Sequence, residues 1–252
     1  MNRTRKLVVI AVIMVIVAVV LIAVAVAIAV AIAGVEDGAE PEYGVSENAT
    51  VSVPTPMATQ EKLTFSSEPI PEDVRVRMWN VTISDKSPVT FDDLSYLTIS
   101  FIGYDGETHV GNMVVAASLA EEVLSIFREL YQVGFPIEKM VLPCEYGGVD
   151  ENSMTDNNTS AFNDRPLNES GAISYHQLGT AIDINPLYNP YINISTLDVQ
   201  PAAGEPYLDR GLSAKGMIFY DGECVRIFKK YGWTWGGDWN SVKDYQHFEK
   251  HL

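Results

Sequence analysis

Apolar residues fill every position from Leu7 to Ala33, nearly all of them Val, Ile and Ala. At 1.5 Å per residue such a run exceeds the roughly 20 residues that span a bilayer, and it outlasts the roughly 7–15 residue apolar core of a secretory signal. Arg3, Arg5 and Lys6 precede it with no acid among residues 1–6, which predicts a cytoplasmic N-terminus and an extracytoplasmic remainder. The expectation is a single-pass transmembrane anchor over 7–33. Ala31-Ile32-Ala33 has the small-x-small form of a cleavage site, so a cleaved, secreted form is the alternative.

The pattern then changes twice. Residues 34–66 are rich in Glu, Pro, Gly, Ser and Thr without periodicity and read as a disordered extracytoplasmic linker. The folded domain is assigned to 67–252, with its core at 91–252. Alternation at Val74, Val76 and Met78 predicts a strand within 74–83, and alternation over Leu97–Gly103, ending at Asp105-Gly106, predicts another. Ser118 and Glu121 have capping-box spacing ahead of apolar residues at 119, 123, 126, 127 and 130, so a helix is expected over 119–132.

Further strands are expected at 137–142, at 181–185 and, closing the domain, at 233–235 and 246–249. A second helix, 222–231, presents Val225, Ile227 and Phe228 and stops at Gly232. The stretches 144–180 and 186–213 carry many Gly, Asn, Pro and Ser residues, and loops this long in a compact domain are usually functional. The fold class that follows is α+β: a small antiparallel sheet with helices packed on one side.

Composition narrows the partners. The formal net charge of −16, with the three basic residues of the N-terminus outside the domain, argues against nucleic acid or anionic lipid as ligand. The surface reads as solvated and the domain as a monomer. Cys144 and Cys224 are a candidate structural pair that spacing alone leaves open. Sequons at Asn48, Asn80, Asn168, Asn193 and the overlapping Asn157-Asn158-Thr159-Ser160 fit an exported glycoprotein.

The chemistry concentrates at His176 and Asp183, seven apart, and at Asp244 and His247 near the C-terminus. Two imidazoles and one carboxylate make three ligands, leaving a fourth position for water, as in catalytic rather than structural zinc. The same donor set also suits Fe(II) and other transition ions. On one strand His176 and Asp183 would point to opposite faces, so Gly179 is expected to bend the chain and return His176 over the strand of Asp183. Asp244 and His247 would likewise diverge on a strand but meet on a helical turn, which 240–245 is expected to form. His176, Asp183 and His247 would then hold zinc, Asp244 would act as general base, and Arg165 would stabilise the developing oxyanion.

These residues sit in motifs that resemble a known family. Ser174-Tyr175-His176-Gln177-Leu178-Gly179-Thr180-Ala181-Ile182-Asp183 is similar to the S-x-H-x-x-G-x-A-x-D signature of the zinc peptidases that include D-alanyl-D-alanine carboxypeptidases and L-alanyl-D-glutamate peptidases. Trp235–Trp239, followed by Asp244-Tyr245-Gln246-His247-Phe248, resembles the second motif, and residues 158–165 resemble the segment carrying the family's arginine. The resemblance implies the hedgehog/DD-peptidase fold, one zinc ion, and hydrolysis of cell-wall (peptidoglycan-type) peptides. A general base in D-x-x-H form is similar to the family's endopeptidase branch, which leaves carboxypeptidase and endopeptidase specificities both open. The alternative is a non-catalytic zinc-containing binding module of the same fold.

Around this centre, Ser160 and Trp235 are substrate-binding candidates, and for Ser160 and Glu249 alike contact with substrate and bracing of a ligand are both open. Trp233, Trp235 and Trp239 also read as core and pocket wall, Ser174 as a hydroxyl that shapes its loop, and His109 and His251 as surface residues.

Overall fold

The computed structural model describes residues 63–164 and 173–252. The anchor, the linker up to residue 62 and Arg165 lie outside these residues. Among the described residues no helix is long and apolar enough to cross a membrane.

The chain begins with β1 (Phe65–Pro69), a strand that runs across the boundary drawn from composition at 66/67, and α1 (Glu72–Met78). The long hairpin β2 (Leu94–Ile102) and β3 (Thr108–Ala116) follows, then α2 (Ala120–Gln132) and the short α3 (Asp150–Thr155). Next come β4 (Ala181–Asp183), β5 (Tyr191–Asn193), β6 (Val199–Gln200) and α4 (Glu223–Lys230). The chain closes with β7 (Thr234–Trp235), β8 (Val242–Asp244) and β9 (His247–Glu249). Three antiparallel three-stranded sheets result, ordered β1-β2-β3, β4-β9-β7 and β6-β5-β8. The class is α+β as expected, but with three small sheets in place of one.

Sheet one is apolar on both faces, and that decides where the helices go. Leu97, Ile99 and Phe101 of β2, with Met113 and Val115 of β3, face Val123, Leu124, Ile126, Phe127 and Leu130 of α2 and the apolar side of α4. Leu94 and Val114 point the other way, onto Ile70, Val74, Met78, Leu142 and Phe162. Thus α1 lies on the face opposite α2, and the helices do not all pack on one side.

The strand expected within 74–83 is instead α1. Val74 and Met78 are each 2 % exposed while Val76 is 68 % exposed. An i,i+4 pair on one helical face satisfies the same spacing that alternation does, so the pattern was ambiguous. Glu72 and Asp73 in the first turn, with Arg75 and Arg77 in the last, complement the helix dipole and settle it.

At α2 the capping box does not form. Leu119 is the N-cap with no side-chain hydrogen bond, and Glu121 instead accepts from Ser67 at 2.9 Å. Residues 137–142 are not a named strand either; they are held by isolated bridges, Ile102 to Pro136 and Lys139 to Asn158. β3 was not anticipated, although the turn before it was. Cys144 and Cys224 are both free, the latter buried in the main core. Asn158 is fully buried and donates to Val141 O and Ser153 Oγ, so the overlapping sequons offer no accessible acceptor there.

Candidate active site

The first motif is a turn followed by a strand. Ser174 caps a 3₁₀ turn, Tyr175–Leu178, by accepting the His176 N–H at 3.2 Å, while Gln177 Oε1 accepts the Ser174 N–H at 2.8 Å. Gly179 ends the turn at φ +68°, and its carbonyl accepts the N–H of Ala116 at the end of β3 (2.8 Å). A side chain there would meet Ala116 N at 2.5 Å, so only glycine allows this approach. The reversal brings His176 back beside β4, as its spacing to Asp183 required.

The second motif reaches the same place by strand register. Asp183 and His247 are direct partners across β4 and β9. His247 Nδ1 lies 3.0 Å from Asp183 Oδ1, His176 Nε2 lies 3.2 Å from Asp183 Oδ2, and the two imidazole nitrogens are 3.2 Å apart. All three residues are buried, and among the described residues they form the cluster suited to a metal ion.

The outer nitrogens set the tautomers. His176 Nδ1 donates to the Ala161 carbonyl at 2.6 Å, and His247 Nε2 donates to Glu249 Oε2 at 3.1 Å. Both acceptors lack protons, so in the neutral rings the protons sit outside and two lone pairs face each other and a carboxylate. A cation relieves that arrangement. Zinc–ligand bonds of about 2.0–2.1 Å in tetrahedral geometry separate neighbouring ligand atoms by about 3.3 Å, close to the spacings found. The donor set therefore fits a zinc ion, and Glu249 completes a carboxylate–histidine pair of the kind that orients metal ligands.

Burial works against a charged His247, yet the hydrogen bonds of Asp183 and Glu249 outweigh it and push the pKa up to about 10. Burial likewise opposes ionisation of Asp183, but the two facing imidazoles hold its carboxyl well below the usual range. A metal ion bound there would compete with this proton, so that loading would release it.

Asp244 and His247 do not share a helical turn. Asp244 ends β8 in register with Tyr191 of β5, whereas His247 opens β9 in another sheet. The two intervening residues carry the chain from one sheet to the next, which overrides the strand parity that argued for a helix. Both side chains line one cleft of about 530 Å³. Tyr191 and Gln200, which face each other across β5 and β6, line it too, so one row of sheet three forms a wall. Trp239 stands over His247 with ring centroids 5.4 Å apart.

Of the two substrate-binding candidates, Trp235 takes its core reading and Ser160 its bracing one. Trp235 is 1 % exposed in the core, donating to Tyr245 O at 2.9 Å, and it is Trp239 that borders the cleft. Ser160 exchanges backbone hydrogen bonds with Asp183 at 2.8 and 3.0 Å and braces that ligand from behind. Asp164, next to Arg165, accepts from Gln177 Nε2 at 2.6 Å and from Ser87, tying the segment before the turn to it. Reading residues in order missed Tyr191, Gln200 and Gln246, since strand pairing alone brings them to the site.

Residues 168–250 match the family model described as D-alanyl-D-alanine carboxypeptidase. Over this segment the chain is similar to that peptidase family. The matched residues include His176, Asp183, Asp244 and His247, while Ser160 and Arg165 precede them. The match supports a peptidase as the coarse activity. The chain matches no curated protein and no solved structure.

Proposed function

We propose that the chain is a zinc-dependent peptidase of cell-wall (peptidoglycan-type) peptides, cleaving D-Ala-D-Ala as a carboxypeptidase or L-Ala-D-Glu as an endopeptidase. The observation that carries this is the convergence of His176 Nε2, His247 Nδ1 and an Asp183 carboxylate oxygen, with Asp244 on the same cleft. The family match over the same residues supports it. Residues 7–33 would hold the domain at the outer face of the membrane, with 34–66 as the tether.

His176, Asp183 and His247 would hold the ion; when bound, zinc would acidify a water and polarise the scissile carbonyl. Asp244 would take the proton from that water and return it to the leaving amine. Arg165 would face the charge developing on the carbonyl oxygen. Trp239 and Tyr191 would wall the peptide on either side of the reacting bond.

The test uses the full-length chain, its zinc content, and a peptide holding both L-Ala-D-Glu and D-Ala-D-Ala bonds, with products identified by mass. Chelator-sensitive cleavage is expected, and the masses identify the bond. Asp244→Asn should keep stoichiometric zinc while cleavage falls about 10²–10⁴-fold. Zinc bound with neither bond cut would favour a binding module, and untouched cleavage in Asp244→Asn would remove the base from the mechanism.

A further inference from the structure

Gln246 lies between the candidate base and the ligand His247, is 2 % exposed and lines the cleft. Its side-chain oxygen is buried and has no hydrogen-bond partner among the described residues. Asn163 Oδ1 is likewise buried without a partner but does not line the cleft, whereas the side-chain oxygens of Asn185 and Asn189 are both satisfied. Asn185 Oδ1 accepts the Glu138 N–H at 3.2 Å, and Asn189 Oδ1 accepts the Ile218 N–H at 2.8 Å and Arg210 at 3.0 Å. The Gln246 backbone is fixed, since its carbonyl accepts the Ile184 N–H at 3.0 Å. A buried polar atom left without a partner in a native cleft calls for one that arrives later.

We propose that Gln246 Oε1 accepts a backbone amide N–H of the peptide substrate and so sets the register of the chain beside the reacting bond. The proposal rests on the peptidase reading above. A carboxamide oxygen needs a donor, and the carboxylates of Asp183, Asp244 and Glu249 around it disfavour an acceptor or an anion in its place. Met154, Ile173 and Trp239 make the adjoining wall apolar, which suits a neutral amide better than a hydrated ammonium group. Every peptide carries that donor, so the contact would select a backbone position rather than a side chain.

Gln246→Met removes the oxygen and keeps the bulk. The full-length, zinc-loaded chain would be compared with and without this change, both forms carrying Asp244→Asn to prevent turnover. Calorimetric titration would use a pentapeptide with L-Ala-D-Glu and D-Ala-D-Ala bonds and analogues methylated at one backbone nitrogen each. Gln246→Met should weaken pentapeptide binding about tenfold. It should also leave the melting temperature unchanged or higher, because the buried oxygen without a partner is gone. One methylated analogue should lose a similar factor on the Gln246 form and nothing on Gln246→Met.

Equal pentapeptide affinity in the two forms would overturn the proposal, as would a melting temperature lowered by Gln246→Met together with weaker binding, which marks a structural residue. Gln246-dependent binding by a chain that, with Asp244 intact, cuts neither bond would remove the peptidase reading and keep the acceptor. A chain that binds no peptide overturns both.

Discussion

Replacing Glu249 by Ala separates the brace from the ligand it braces. The Glu249 side chain is outside the strand ladder, which runs through its backbone to Ala181 and Thr234, so β9 should persist without it. What is lost is the acceptor 3.1 Å from His247 Nε2, in a site where Glu249 is 8 % exposed and His247 7 % exposed. A hydrogen bond to a charged group contributes about 1.5–3 kcal/mol net, equivalent to a factor of about 10–150 in an equilibrium constant. Loss of such outer partners elsewhere weakens metal binding about 10–100-fold, the same range. The second contact of Glu249, to His251 Nε2 at 3.2 Å, is to a ring 62 % exposed and adds little.

Zinc affinity would be measured by competition with chelators of graded strength at one pH. Circular dichroism would show that both proteins are folded. Glu249→Ala is expected to bind zinc about 10–100-fold more weakly, and Glu249→Gln, which keeps an oxygen for the Nε2–H, to fall between. An affinity unchanged within about twofold in a folded Glu249→Ala protein would refute the argument that Glu249 fixes the His247 tautomer.

Gly179→Ala should cost about 1–2 kcal/mol for the left-handed backbone alone. The added clash with Ala116 N must displace the turn bearing His176, so thermal melting and zinc stoichiometry should both fall; an unchanged melt would mean that the turn yields freely. Phe228 and Phe248 are each fully buried and stack 3.9 Å apart, with Phe248 between His247 and Glu249 in sequence. Phe228→Ala should lower stability by about 3–5 kcal/mol in urea unfolding. A loss below about 1 kcal/mol would show that this core collapses around the gap.

The parts of this molecule that were legible in the sequence are those whose determinants lie close together along it. The apolar spacing of α2 and α4, the β2 alternation and the serine-to-glycine turn around His176 all act within a few residues. α1 shows the limit of that reading. Val74, Val76 and Met78 admit either period, and only the charges at the helix ends and the apolar patch on the second face of sheet one decide between them. The capping box at Ser118 failed for a related reason, since a 3₁₀ turn at Ala117–Leu119 precedes α2 and moves the N-cap to Leu119.

The site itself shows why residue lists and residue positions part company. His176, Asp183, Asp244 and His247 were identifiable by type and spacing, yet the route by which Asp244 reaches His247 was not. A helical turn would have joined them locally. Instead β8 pairs with β5 and β9 pairs with β4, so the candidate base and the candidate ligand belong to different sheets that meet at Gln246. Such pairing depends on residues some 50–65 positions earlier, Tyr191 and Asp183, which no local window contains. The same crossing explains why Tyr191, Gln200 and Gln246 escaped notice while Trp235 attracted it. An aromatic in a motif stands out in a sequence, but only the register between strands distinguishes the tryptophan that fills the core from the one that walls the cleft.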